Sequence, residues 1–269
     1  MNKLGLILLA IFGCLVAFYL LVLKPEKYIE KDIYDDIMAR GYIRVGINTD
    51  SKPFGFYDKQ GNIVGYDAEL AGYIAQYLFN NRKKVAFHSV TTGNRLIKAS
   101  TGEVDIIIAT MTITPQRQQV INFSIPYDTA GQTLLIRSDS RITSMSDLAG
   151  QNVGVIWGTT AEKNMFSLAP SANIIGFKTY KEAYKALKNG KIIAITSDDT
   201  ILSQFTLEDK DVKLVPKHYS REPYGIGFRQ GNGSDKLKRA LDNAITDLKQ
   251  RNIINNLHRK WISNEIIEE

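Results

Sequence analysis

One cysteine, Cys14, and three histidines are all that 269 residues contain of the usual soft metal ligands. A single thiol cannot close a disulfide within the chain, so stability has to come from packing. His88, His218 and His258 stand far apart and belong to no motif, and no metal-ligand spacing, phosphate loop or nucleophile signature occurs. The chain also lacks a dense basic tract. Of the formal charge of +6, Lys3 and Lys24 supply two, and the remaining +4 (6 − 2) is spread from residue 25 onward. Nucleic-acid binding would require a concentrated patch with interleaved aromatics, so a solvated basic surface is the expectation. Low-complexity segments and internal repeats are missing as well. Neither cofactor, metal nor nucleic-acid partner is expected.

One long hydrophobic run is present, at the start. Residues 4–23 carry no charge, and about twenty residues at ~1.5 Å rise match the ~30 Å hydrocarbon core of a bilayer. Residues 1–24 therefore read as an uncleaved membrane anchor. A cleaved signal and a lipoprotein signal at Cys14 are the alternatives, but Ile11 and Phe12 suit a lipobox poorly. In all three cases the remainder lies outside the cytoplasm. Roughly 240 residues then suffice for one large domain or two lobes.

Beyond a linker and leading helix over residues 25–40, short β-rich runs alternate with helical periodicity. Residues 43–47, 85–90 and 105–109 are expected strands. Tyr66, Leu70, Tyr73, Ile74, Tyr77 and Leu78 share one helical face, and residues 94–99 form a short helix. A second set follows, with strands at 133–136, 153–157, 192–196 and 212–215, and a helix opened by Thr179 and Glu182 and closed at Gly190. One amphipathic helix through Leu237, Ala240, Leu241, Ala244, Ile245 and Leu248 precedes Trp261. The class is α/β. Two α/β sets with a returning helical end predict lobes over 41–130 and 131–223, a return over 224–269, and chain crossings near Gly131 and Tyr224.

Three strand ends carry candidate chemistry. Thr110, Thr112 and Arg117 follow the strand at 105–109, at the carboxyl edge where open α/β sheets bind ligands. Thr114 suits an N-cap and Pro115 the first helical position, which leaves Arg117 in the first turn. A cation there opposes the helix dipole, so Arg117 either pairs with a local acid or receives an anion such as a carboxylate. Thr159 and Thr160 open a helix after the strand at 153–157, either as an ordinary start or as hydrogen-bond donors to a ligand. After the strand at 192–196, one of the tandem Asp198 and Asp199 suffices as a cap and the other is free for an α-ammonium. An anion clamp in one half and a cation clamp in the other suit a zwitterion enclosed between lobes.

The segments Asp50…Pro53-Phe54-Gly55-Phe56, Gly65-Tyr66-Asp67, Thr112-Ile113-Thr114-Pro115-Gln116-Arg117, Asn122-Phe123-Ser124-Ile125-Pro126-Tyr127, Gly158-Thr159-Thr160 and Pro223-Tyr224-Gly225-Ile226-Gly227 resemble, in order, those of the polar amino-acid-binding proteins of ABC importers, solute-binding protein family 3. The resemblance covers residues 42–262. It implies a two-lobed, type II periplasmic-binding-protein-like fold with a two-crossing hinge, a free L-amino acid as ligand, and a permease with its ATPase as partners. It further implies that Arg117 holds the α-carboxylate with Thr112 and Thr110 beside it, and that Thr160 and Thr159 contribute from the second lobe. Asp198 binds the α-ammonium, with Asp199 as runner-up; Phe54 lines a wall and Asp50 lies close. Asn94-Arg95 resembles the pair in glutamate and aspartate binders where the arginine meets the distal carboxylate, although Asn48 stands where some of these carry another arginine. Glutamate or aspartate is the expected ligand, with glutamine next. A dehydratase-like enzyme on the same scaffold and a sensing ectodomain are the alternatives, and the absence of a dedicated acid–base pair argues against catalysis.

Overall fold

The computed structural model describes residues 31–262 together with Gly5, Phe12 and Tyr19. The expected anchor over residues 1–24 lies outside the described residues, those three apart, as do residues 25–30 and 263–269. Among the described residues no helix is long and apolar enough to cross a membrane. The chain divides into Met1–Lys31 and Asp32–Glu269, and the fold below is that of the second unit.

It opens with α1 (Ile33–Arg40), capped by the Asp32 carboxylate and closed by Gly41 in the left-handed conformation. β1 (Ile43–Asn48) follows, then the small antiparallel strands β2 (Asp50–Ser51), β3 (Gly55–Tyr57) and β4 (Ile63–Val64). α2 (Tyr66–Phe79), β5 (Val85–Val90), α3 (Arg95–Ser100), β6 (Ile106–Ile107), α4 (Pro115–Gln118), β7 (Ile121–Phe123) and β8 (Asp128–Ala130) complete the first passage. The second lobe holds β9 (Gln132–Arg137), β10 (Asn152–Ile156), α5 (Thr160–Leu168), β11 (Asn173–Phe177), α6 (Tyr180–Lys188), β12 (Ala194–Asp198), α7 (Asp199–Glu208) and β13 (Val212–Leu214). The chain returns through β14 (Glu222–Tyr224) and β15 (Gly227–Arg229) to α8 (Ser234–Gln250) and α9 (Ile253–Trp261).

Two five-stranded sheets result, ordered β5-β1-β6-β15-β7 and β11-β10-β12-β9-β13. In each, three strands run parallel and the remaining pairings are antiparallel. The central parallel strands are buried between helices; Ile43, Val45 and Ile47 of β1 are fully buried, whereas the edge strand β5 leaves Phe87 and Ser89 exposed. β8 and β14 pair antiparallel, with Ala130 opposite Glu222 and Asp128 opposite Tyr224, and these two segments join the lobes.

Three details depart from the periodicity. The strand expected over 105–109 pairs in the ladder only at Ile106–Ile107, because the chain bends at Thr110, whose φ is +46°. β12 begins two residues later than expected and runs to Asp198, so Ser197 and Asp198 belong to the strand. Tyr77 is exposed; the inner face of α2 is Tyr66, Leu70 and Ile74 with Ala71 and Ala75. The amphipathic helix through residues 237–248 is α8, and a second helix, α9, follows it after Asn252, where φ is +58°.

Candidate ligand-binding site

α4 presents Arg117 as expected: Thr114 caps it through the Arg117 N–H at 3.2 Å, with Pro115 at the first position. The helix is only one turn long, so its dipole matters less than the contacts of the guanidinium itself. Arg117 is 7% exposed. Its Nη1 donates to the Thr112 carbonyl at 2.7 Å and its Nη2 to the Gly158 carbonyl, in the other lobe, at 3.1 Å. Burial, and secondarily the Arg95 charge, pull Arg117 down to about 9. The lobes meet closely here. Gly158 adopts φ +81°, and a Cβ on it would stand 2.7 Å from the Thr92 carbonyl oxygen, so a side chain would force the lobes apart.

Arg95 opens α3 and is 3% exposed. Its Nη1 donates to the carbonyls of Ala109 and Thr110, while Nε is buried with no hydrogen-bond partner. Burial lowers its pKa, and the charges of Tyr180 and Asp198 oppose that shift. Thr110 reaches its left-handed conformation with help from Asp67, whose Oδ2 accepts the Thr110 N–H at 3.1 Å while Oδ1 accepts the Tyr127 hydroxyl at 3.0 Å. Thr112 bridges to Tyr224 in the returning hinge strand.

In the second lobe, Asp198 occupies the N-cap position of α7 without capping it. Its Oδ2 accepts instead from the Tyr224 hydroxyl at 2.5 Å, and burial pushes the carboxyl up to about 7. Asp199 is turned away, accepting the Gly131 N–H at 3.0 Å and pairing with His218 at 3.1 Å, so the runner-up belongs to the hinge. Thr159 spends its hydroxyl locally, donating to the Ile156 carbonyl at 2.8 Å and accepting the Glu162 N–H at 3.2 Å. Thr160 is the first residue of α5 and partly buried. Phe54 is fully buried edge-on against Tyr66 and Tyr224, with ring centroids 5.5 and 5.7 Å away.

Arg117 thus reaches Gly158 of the other lobe and feels the charges of Arg95 and Asp198, while Thr112 bridges Tyr224, whose hydroxyl meets Asp198. Asp50 stands to one side. Its Oδ2 accepts the Tyr180 N–H at 3.0 Å across the lobes, and burial raises its pKa. A cavity of about 370 Å³ opens beside it between Lys52, Phe56, Tyr184 and Phe205, and neither arginine lines it. Sequence reasoning did not anticipate Tyr224, Tyr180 or Asp67 as members of the polar network. Tyr180 bonds Ser197 through its hydroxyl at 2.8 Å. Tyr224 and Asp67 sat inside the motifs but had no role assigned.

Residues 43–264 match the model of the bacterial extracellular solute-binding proteins, family 3. The chain belongs to that family. The glutamine-binding protein GlnH of the Bacillus subtilis ABC transporter is 34% identical over 247 residues, 91% of this chain and 90% of that protein. The glutamine-binding protein of Geobacillus stearothermophilus is 36% identical over 195 residues, 72% of this chain and 74% of its own. The crystal structure of a cysteine-binding protein from Campylobacter jejuni superposes with a TM-score of 0.81 at 30% identity, covering 86% of this chain and 92% of that one. This family 3 protein thus has the two-lobed periplasmic-binding-protein-like architecture and is a solute-binding protein and not an enzyme; the relatives it resembles are named for the amino acids they bind.

Proposed function

We propose that this family 3 protein captures glutamate or aspartate outside the cytoplasm and delivers it to the permease and ATPase of an ABC importer. The observation that carries the reading is Arg95: a guanidinium 3% exposed whose Nε has no partner, in the same buried region as Arg117. Two desolvated guanidiniums are costly unless anions join them, and an amino acid with a second carboxylate supplies one for each. In this reading Arg117 takes the α-carboxylate beside Thr112 and Thr110. Thr160 and Thr159 approach from the second lobe, Asp198 takes the α-ammonium, Phe54 backs the wall and Asp50 guards the rim. The lobes extend over 41–130 and 131–223, with 224–269 returning to the first. Residues 25–40 lead in from a membrane anchor at 1–24, which holds the protein on the outer face.

Glutamine is the second reading, favoured by the two glutamine-binding relatives. Calorimetry with L-glutamate, L-aspartate and L-glutamine on wild type and Arg95→Ala separates them. Arg95→Ala should weaken the acidic ligands much more than glutamine, because only they place a charge against the guanidinium. A wild type that prefers glutamine over both acids refutes Arg95 as selector.

A further inference from the structure

Glu222 lies on the returning hinge strand β14, two residues before Tyr224. Alternate residues of a strand share a face, so Glu222 and Tyr224 point to one side and Pro223 to the other. On that side the Tyr224 hydroxyl meets Asp198. Glu222 is 3% exposed. Its Oε1 accepts from the Ser220 hydroxyl at 2.5 Å and from Asn164 Nδ2 at 3.4 Å. Asn164 belongs to α5, one turn beyond Thr160, and also bonds Gln132 Oε1 at 2.8 Å. The carboxylate is thereby held between the start of α5 and the face of β14 that reaches Asp198. Its other oxygen, Oε2, is buried with no hydrogen-bond partner.

A buried carboxylate oxygen without a donor is expensive, and a cation is its natural complement. Two cations can be considered. A metal is disfavoured, since no group of three His, Cys, Asp or Glu among the described residues could hold one. Arg117 is close enough for the Glu222 charge to support its protonated form, but the hydrogen bonds of its two terminal nitrogens go to Thr112 and Gly158. Glu222 also adds to burial in raising the Asp198 pKa, so the two carboxylates repel one another. A cation between them relieves both, and an ammonium with three donors can serve two carboxylates at once.

We infer that Glu222 is a second acidic residue of the ligand site and shares the ligand's α-ammonium with Asp198. The inference rests on the proposed amino-acid site and adds to it a strict demand for the amino group. Two guanidiniums and two carboxylates then face the ligand, and a carboxylic acid without its ammonium would leave both acids unmatched.

The test compares amino acids with their des-amino counterparts on the full chain at pH 7.5: L-glutamate with glutarate, and L-glutamine with glutaramate, by calorimetry and competition. Glu222→Gln keeps the side-chain shape and an acceptor for Ser220 and Asn164. It should weaken both amino acids by about tenfold, the scale of one hydrogen bond to a charged group, and leave the des-amino acids unchanged or tighter. Asp198→Asn should do the same. If Glu222→Gln does not fold, Glu222→Asp, which retracts the charge by one methylene, should give the same selective loss in smaller measure. Equal weakening of both ligand types marks Glu222 as structural and overturns the inference, as does unaltered amino-acid binding. The failure of the site itself looks different: Asp198→Asn would then be equally unselective, or the wild type would bind none of the four compounds.

Discussion

Replacing Arg117 by alanine removes one charge and two defined hydrogen bonds, at 2.7 Å to the Thr112 carbonyl and 3.1 Å to the Gly158 carbonyl. For the ligand-free fold these changes partly cancel. Each abandoned carbonyl costs ~1–3 kcal/mol if it stays buried and dry. Against that, the variant no longer buries a guanidinium so disfavoured that its pKa falls to about 9, and Arg95 loses a like-charged neighbour. The ligand has no such compensation. A desolvated carboxylate without its charged partner loses ~2–5 kcal/mol, which corresponds to a roughly 30- to 4,000-fold weaker Kd. Because every amino acid carries the α-carboxylate, glutamate and glutamine should lose affinity by similar factors. Arg117→Lys should recover only part, since a point-charge ammonium lacks the planar fork that holds a carboxylate bidentately. Isothermal titration with both ligands measures the losses, and the melting temperature of the ligand-free variant should stay within about 5 °C of wild type. An Arg117→Ala protein that binds within threefold of wild type, or that loses one ligand more than tenfold beyond the other, refutes the assignment.

Burial holds Asp198 at about 7 in the ligand-free protein, and an ammonium binds its ionised form. Affinity should therefore fall as pH drops below about 7, approaching tenfold per unit, and a flat profile from pH 5 to 8 would contradict that role. Asp67 is likewise pushed up to about 7 by burial. Between pH 4 and 7 the folded state keeps protons on both groups that the unfolded chain releases, so ligand-free stability should decline as pH rises through this window. Asp67→Ala leaves the Thr110 N–H and the Tyr127 hydroxyl buried without their acceptor; at ~1–3 kcal/mol each the melting temperature should drop by about 4 °C or more, and an unchanged value in calorimetry would show that water replaces the carboxylate. Lys52 and Glu208 pair across the lobes at 2.6 Å while both are about half exposed, so Lys52→Ala should alter ligand affinity by less than about fivefold, and by less still in 0.5 M salt.

The α/β alternation was legible because it rests on local rules: buried parallel strands are apolar on both faces, and amphipathic helices repeat every 3.6 residues. Thr114 with Pro115, and Thr179 with Gly190, announce helix ends in two or three residues, and they stand where the pattern put them. The misplaced boundaries share a different cause. Thr110 ends its strand because Asp67, 43 residues earlier, captures its N–H. β12 extends to Asp198 because β9 lies antiparallel beside it, with Asp198 opposite Gln132. A partner strand decides such an end, and sequence periodicity cannot see the partner.

The site divides along the same line. Residues at a strand end or in a first helical turn, such as Asp198 and Arg117, could be nominated because their position alone restricts what they can do. The tandem aspartates differ in their partners only once the chain is folded: Asp198 meets Tyr224, while Asp199 meets Gly131 and His218. Thr159, which the pairing with Glu162 marks as a helix cap, does cap α5, and its hydroxyl also finds the Ile156 carbonyl within its own turn. Glu222, Tyr224 and Tyr180 gave no signal of their own. An acid before Pro-Tyr-Gly is ordinary in sequence and becomes unusual only when folding buries it with one oxygen unpartnered. Polar networks assembled from hinge segments are therefore the part of such a protein that sequence reasoning reaches last: Tyr224 meets Asp198 26 residues away and Asp67 meets Thr110 43 residues away, separations that no local pattern spans.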